Sequence, residues 1–569
     1  MSETIDGSSG GLYSKTLSRS YANTGVIGRY AGVNIGSEYG VTYGYDTYGR
    51  SSTVTSGSDT FTFAYLANSN LLSSVSSVSS VSSPSSTSSM SYESHRNLLT
   101  QVSNNYNSTT VSNYNYTNDA IGRRSAAGWS GTAFSQSDTI TYGYNDRSEV
   151  TGANAANNAN YGYSFAFDPI GNRLTSASKE TGTTVTRNYT SNLLNQYTAI
   201  DNPTAAPTYD FDGNMTSMPS FAESGTWSLT WDAENRLVLA EKSDAKLEFK
   251  YDYVGRRVEK KIYSGSTGNW TLAADLRFVY DGYLQIEELA LDIPNSQFVI
   301  RNCRVWSPAL QGLGSEKYLS ETQGGTTYYA LGDANKNVTE YLDASGNIKA
   351  HYEFSPFGKT VTATGTMSGD FNSRFSSEYL DVETGLVYYN FRYFSTELGR
   401  WLSRDPIQEK GGWNLYVIVG NNPINNYDLL GMLIDSSKHD RAAKLIECWK
   451  KNLPKGSIFL LKINIMDTAT GYTVYIEPTD KKTPDTMKND TPWYPGTTTY
   501  IGLTGPYIGM DGIEYTFAEA LADELSHAYN KNNGIDKSHK DPSFKKALAK
   551  AQEEVEALKC ICCEKDRVK

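Results

Sequence analysis

Charge is scarce in this sequence: Asp, Glu, Lys and Arg make up only 20% of its 569 residues. Cysteine is scarce too. Five cysteines are too few for a disulfide framework in a chain of this length. Cys303 stands alone, the other four lie after residue 440, and the neighbours Cys562 and Cys563 are poorly placed to pair with each other. No apolar run reaches the roughly 18 residues of a membrane-spanning helix, so no membrane span is expected. The N-terminus has no basic-then-apolar signal pattern, and no signal peptide is visible. A basic excess is also missing. The segment from Leu433 onward holds 20 of the 51 basic and 20 of the 62 acidic residues and is neutral. The net charge of −11 therefore falls entirely on residues 1–432, this balance gives no general reason for nucleic-acid binding, and no nucleic-acid partner is expected. The tail has no Gly-rich loop of the kind that cradles phosphate, and its Lys-rich stretches are interleaved with acids, as on a solvated surface.

What fills the gap is Tyr (42 residues), with Gly, Ser, Thr and Asn. Aromatic and β-branched residues suit pleated strands, and Gly, Asn and Asp make tight turns, so the composition predicts a mainly β protein. The length predicts more than one folding unit.

A short phrase recurs through residues 1–380: an aromatic strand, then Asp or Asn, then a Gly turn, then Arg or Asn. It reads Tyr43-Gly-Tyr-Asp-Thr-Tyr-Gly-Arg50, Tyr116-Thr-Asn-Asp-Ala-Ile-Gly-Arg123 and Phe165-Ala-Phe-Asp-Pro-Ile-Gly-Asn-Arg173. It returns as Tyr209-Asp-Phe-Asp-Gly-Asn214, Trp231-Asp-Ala-Glu-Asn-Arg236 and Phe249-Lys-Tyr-Asp-Tyr-Val-Gly-Arg256. Each phrase predicts a β-hairpin, and their succession predicts an elongated sheet of stacked hairpins. The Ser/Val/Thr stretch Ser73–Ser91 is of low complexity and is expected to be a loose loop.

Over about residues 30–432 the chain resembles the Rhs (YD-repeat) family, which includes insecticidal toxin-complex C components and teneurins. The resemblance implies a spiral of hairpins forming a shell, complete or partial, around a C-terminal cargo. Met1 leads straight into repeat-like sequence, as expected of the C-terminal portion of a longer chain. A structural or adhesion protein of repeats alone is the competing reading.

Residues 381–432 carry four blocks in order: Gly385-Leu-Val-Tyr-Tyr-Asn-Phe-Arg-Tyr-Phe394, Gly399-Arg-Trp-Leu-Ser-Arg-Asp-Pro-Ile407, Asn414-Leu-Tyr416, and Asn421-Asn-Pro-Ile-Asn-Asn-Tyr-Asp-Leu-Leu-Gly-Met432. They resemble the Rhs-associated core, whose closing Asp-Pro-x-Gly-Leu signature marks where the shell cuts itself. The resemblance implies Asp405 and Asp428 as a catalytic pair, Arg392 as their arginine, and a cut between Met432 and Leu433. Two carboxylates held close cannot both ionise, so one can serve as acid while the other activates water. Here Leu429 stands where the family has Pro, and Met432 where it has Leu.

From Leu433 the composition shifts to Lys and to helical periodicity, predicting a compact α+β domain over 433–569. Predicted helices are Arg441–Lys450, Thr516–Tyr529 and one beginning at Asp541-Pro542; predicted strands are Ser457–Ile465, Gly471–Ile476 and Thr498–Gly502. Asp523-Glu-Leu-Ser-His527 resembles the His-Glu-x-x-His signature of zincin metallopeptidases, with Asp in the first position. The i, i+4 spacing lets two side chains grip one metal while the intervening Glu polarises its water. The resemblance implies Zn²⁺ held by Asp523, His527 and Glu554 (His539 in reserve), with Glu524 as general base. A polar helix face with an Asp–His pair explains the same residues without a metal. The expectation is a bacterial toxin, secreted or delivered into a target cell, acting on a protein substrate. Its expected partners are a cognate immunity protein and a delivery machinery, and its alternative tip is a nuclease or another non-peptidase toxin.

Overall fold

A computed structural model describes residues 2–5, 15–79, 82–179, 182–221, 225–308 and 316–432, together with the backbone of five short strands beyond residue 460. The chain divides into two compact units, Met1–Pro406 with Gly412–Leu433, and Ile407–Gly411 with Ile434–Lys569.

In the first unit the repeats form two antiparallel meanders of seventeen and fourteen strands. Consecutive strands pair from Ser2–Ile5 to Tyr197–Ile200, and again from Thr208–Tyr209 to Thr360–Thr364. The predicted hairpins are present, and one phrase shows how each is built. The Gly49 N–H donates to the Asp46 carbonyl (2.9 Å) and the Asp46 N–H to the Arg50 carbonyl (2.9 Å), closing a three-residue loop. Gly49 sits at φ +77°, and the ladder bulges between Gly44 and Tyr45. Asp46 Oδ1 accepts the N–H groups of Tyr48 and Arg50, while Arg50 Nε donates to Asp46 Oδ2.

The remaining residues of the phrase join one hairpin to the next. Tyr65 donates its hydroxyl to the Ser51 carbonyl, Tyr144 to Arg124, Tyr251 to Leu237 and Tyr280 to Arg257, in each case the residue after the preceding phrase's Arg. Trp231 Nε1 does the same to Met215. In the other direction Arg50 lies over the Tyr65 ring (4.3 Å), Arg123 over Tyr144 (4.6 Å) and Arg236 over Tyr251 (5.2 Å). Tyr suits these positions because its ring packs inside while its hydroxyl satisfies a carbonyl of the preceding hairpin.

The described residues of the stretch Ser73–Ser91 lie in strands, not in the expected loose loop. Leu72–Ser79 and Ser82–Tyr92 are paired strands. Serine on both faces hides the period of two in the sequence, but Leu72 and Val75 point into the core. The buried hydroxyls satisfy one another in a row: Ser77 with Ser86 (2.6 Å), Ser88 to Asn104 (2.7 Å), Asn104 to Ser112 (2.9 Å) and Ser112 to Glu340 (2.7 Å).

Four short strands, Tyr379–Asp381, Leu386–Tyr388, Tyr393–Ser395 and Arg400–Trp401, form a third sheet. Phe371, Phe375, Val387, Phe394 and Trp401 share one core with residues of both meanders. The segment after this sheet clasps the repeat turns. Asn414 donates to Asn172 (2.8 Å), Tyr416 to the Gly213 carbonyl (2.8 Å) and Asn421 to the Gly171 carbonyl (2.8 Å), while Asn425 accepts the Arg124 N–H (2.7 Å).

In the second unit Leu461–Thr468, Gly471–Pro478 and Thr499–Gly502 form an antiparallel sheet; the last two match predicted strands, and the first overlaps the predicted Ser457–Ile465 only over residues 461–465. The helices predicted at Arg441–Lys450, Thr516–Tyr529 and from Asp541 lie outside the described residues. Among the described residues there is no α-helix, and no helix is long and apolar enough to cross a membrane.

Candidate functional site

Arg392 leads into the strand Tyr393–Ser395, Asp405 follows Arg400–Trp401, and Asp428 opens the closing turn. Hydrogen bonds between these segments bring them together. The Tyr389 N–H donates to the Arg392 carbonyl (3.0 Å), Phe391 to Leu430 (3.1 Å), Trp401 to Tyr416 (3.0 Å) and Asp405 to Leu415 (3.0 Å).

The three residues that the sequence singled out meet at one point, with exposures of 1% for Arg392, 5% for Asp405 and 2% for Asp428. Arg392 Nη2 lies 2.9 Å from Asp405 Oδ2 and 3.5 Å from Asp428 Oδ2. The same guanidinium donates through Nε to the Gly431 carbonyl and through Nη1 to Leu415 (3.3 Å). Asp428 Oδ1 accepts the N–H groups of Leu430 (3.1 Å), Gly431 (2.8 Å) and Met432 (3.0 Å). One oxygen of Asp428 is thus fully committed to holding the turn. The other, Oδ2, is buried, accepts no hydrogen bond and is where a proton would reside.

Burial pushes the Asp428 carboxyl above its ordinary range, with Asp405 adding to the rise and Arg392 and the turn amides opposing it. Burial draws the Arg392 guanidinium down, while Asp405 and Asp428 hold it up.

The turn demands Gly431. It sits at φ +75°, and a Cβ there would fall 2.9 Å from the Tyr389 carbonyl oxygen and 3.1 Å from the Arg392 nitrogen. Leu429, where the resembling family has Pro, contributes none of the three N–H groups that Asp428 binds. Sequence reading missed Trp401, whose ring lies 4.2 Å from the Arg392 guanidinium carbon, although its block was recognised. Asp523, Glu524, His527, His539 and Glu554 lie outside the described residues, as does Leu433. Among the described residues no cluster of His, Cys, Asp and Glu is arranged for a metal.

Compared with solved structures, the chain matches a crystal structure of TcdB2-TccC3-TEV with a TM-score of 0.53 at 19% identity, over 76% of this chain and 24% of that one. The fold is that of the toxin-complex shell. Among curated proteins the chain is 30% identical over 272 residues to the tRNA3(Ser)-specific nuclease WapA of Bacillus spizizenii, spanning 46% of this chain and 10% of that protein. It is 27% identical over 242 residues to the double-stranded DNA deaminase toxin A of Burkholderia cenocepacia, spanning 39% of this chain and 16% of that protein. The chain therefore spans about a tenth and about a sixth of the length of these two relatives. No protein-family profile matches it. Two relatives whose names are those of a nuclease and a DNA deaminase remove the basis for excluding nucleic acid as a partner.

Proposed function

We propose that this chain is part of a polymorphic toxin of the Rhs type, whose shell frees its C-terminal segment by cutting the Met432–Leu433 bond. The observation that carries the reading is the meeting of Asp405 and Asp428 on one buried guanidinium nitrogen, with Asp428 also binding the Met432 N–H. Asp428 is then held within one residue of the scissile carbonyl. In the step proposed, Asp405 takes a proton from water as its oxygen adds to the Met432 carbonyl carbon. Asp428, protonated at Oδ2, gives its proton to the leaving nitrogen of Leu433. The C–N bond breaks, leaving a carboxylate on Met432 and an amine on Leu433. The cut occurs once, in cis. Because burial raises Asp428, its acid form persists to higher pH than a free Asp, and cutting slows as pH climbs through that raised value. Intact mass of the chain against time, across a pH series, tests this.

Leu429→Pro is expected to retain the cut at a rate within about threefold of wild type, since the turn does not use the Leu429 N–H and Pro fixes φ. Loss of cutting in a folded Leu429→Pro chain would show that this turn has departed from the family geometry.

The freed segment 433–569 is proposed to be the toxic enzyme, with an immunity protein and a delivery machinery as partners. Two chemistries are supported by different observations. Asp523-Glu-Leu-Ser-His527 with Glu554 supports a Zn²⁺-dependent peptidase with Glu524 as base. The nuclease and deaminase relatives support an enzyme acting on nucleic acid. The matured full chain, offered protein, RNA and DNA with and without chelator, separates them. The peptidase reading predicts proteolysis lost in Glu524→Gln and in chelator; the other predicts nucleic-acid damage indifferent to Glu524→Gln.

A further inference from the structure

We infer that Trp401 is a positioning residue for the self-cleavage proposed above, holding the Arg392 guanidinium flat so that one nitrogen serves both carboxylates. The inference rests on that reading of the site.

Trp401 is completely buried, and its ring centre lies 4.2 Å from the guanidinium carbon of Arg392. Its indole N–H makes no hydrogen bond, whereas buried tryptophans ordinarily anchor that group. The face of the ring, not its N–H, is what this position uses. Tyr389 stands edge-on to the same indole (5.1 Å, 88°) and Phe394 packs against it (5.4 Å), so the ring itself cannot tilt. Tyr389 also contributes the carbonyl that closes over Gly431. One aromatic corner thereby fixes both the guanidinium and the turn that carries the scissile residue.

Arg392 needs such a support. Its Nε and Nη1 hydrogen bonds, to Gly431 and Leu415, tether one side of the guanidinium. Nη2 must then reach Asp405 and Asp428 together, and a rotation of the plane would favour one at the expense of the other. A π face at van der Waals distance from a desolvated guanidinium resists that rotation. The charged groups that face Asp428 are Arg392 and Asp405, and Asp428 also acts through space on Lys336 and Glu378 of other segments; none of them can replace a planar support.

The test follows cutting of the full chain by intact mass, from pH 5 to 9, in wild type, Trp401→Phe, Trp401→Leu and Trp401→Met. Trp401→Leu and Trp401→Met, which fill space without a π face, are expected to slow the cut by about tenfold or more. Their descending pH limb should move to higher pH as Arg392 loosens its hold on Asp428. Trp401→Phe is expected to stay within about threefold of wild type with an unmoved profile. Folded Leu or Met variants that cut like wild type overturn the inference. So does a Phe variant as impaired as Leu. If Trp401→Leu does not fold, the Met and Phe pair carries the comparison. A wild-type chain that never cuts instead sinks the self-cleavage reading itself, a distinct outcome.

Discussion

Asp428→Asn is expected to leave the chain whole, slowing the cut after Met432 by on the order of 10²–10⁴-fold. The substitution separates scaffold from chemistry. Asn retains a carbonyl oxygen in the place of Oδ1, so the N–H groups of Leu430, Gly431 and Met432 keep their acceptor and the turn persists. What changes is Oδ2, which becomes an NH₂ facing Arg392 Nη2 across 3.5 Å and has no acid proton to give. Thermal unfolding of the shell should therefore move little while the cut disappears. If Asp428→Asn instead cut at the wild-type rate, the carboxylate would be a turn-building residue and nothing more.

The second large effect concerns stability. Asp381→Ala is expected to cost about 3–5 kcal/mol, because it leaves two buried cations without their shared anion. Arg257 Nη1 lies 2.5 Å from Asp381 Oδ2 and Lys260 Nζ 2.8 Å from Oδ1, with all three groups buried. Arg257 is enclosed by the rings of Phe249, Phe278, Tyr379 and Tyr388, which leaves little room for relaxation. Lys260 keeps Glu383 at 2.7 Å, so the loss falls mainly on Arg257. Burial alone would raise the Asp381 carboxyl, but Arg257 and Lys260 outweigh it and hold it below the usual range. A lowered carboxylate stabilises the fold above its unfolded pKa of about 3.9 and loses that contribution as pH falls through its folded value. Urea unfolding of the full chain should thus show the Asp381→Ala penalty at pH 7 and a shrinking difference below about pH 4. An equal penalty at pH 7 and well below pH 3 would mean that packing, not charge, holds this corner.

The repeat architecture was legible in the sequence because each phrase is local: Tyr, Asp, Gly and Arg within eight residues specify strand, turn and bulge. Asn-headed phrases that lack the turn Gly were not legible. Asn145 and Asn192 build the same loops, with Ser148 and Asn195 supplying the positive φ that Gly supplies elsewhere. The strands at Leu72–Ser79 and Ser82–Tyr92 were missed because serine masks alternation, and only the inward hydroxyl row gives it away. Arg392, Asp405 and Asp428 were found through linear motifs. Their meeting on one nitrogen, and the ring beneath it, depend on the pairing of 379–401 with itself and its docking on the repeat turns. No window of sequence contains that information.

The most direct test of the account is the intact mass of the purified wild-type chain beside Asp405→Asn, under native reducing conditions. The account predicts two fragments from wild type, ending at Met432 and beginning at Leu433, and one whole chain from the variant. A wild-type chain that remains whole, or fragments that form equally in Asp405→Asn, would contradict it.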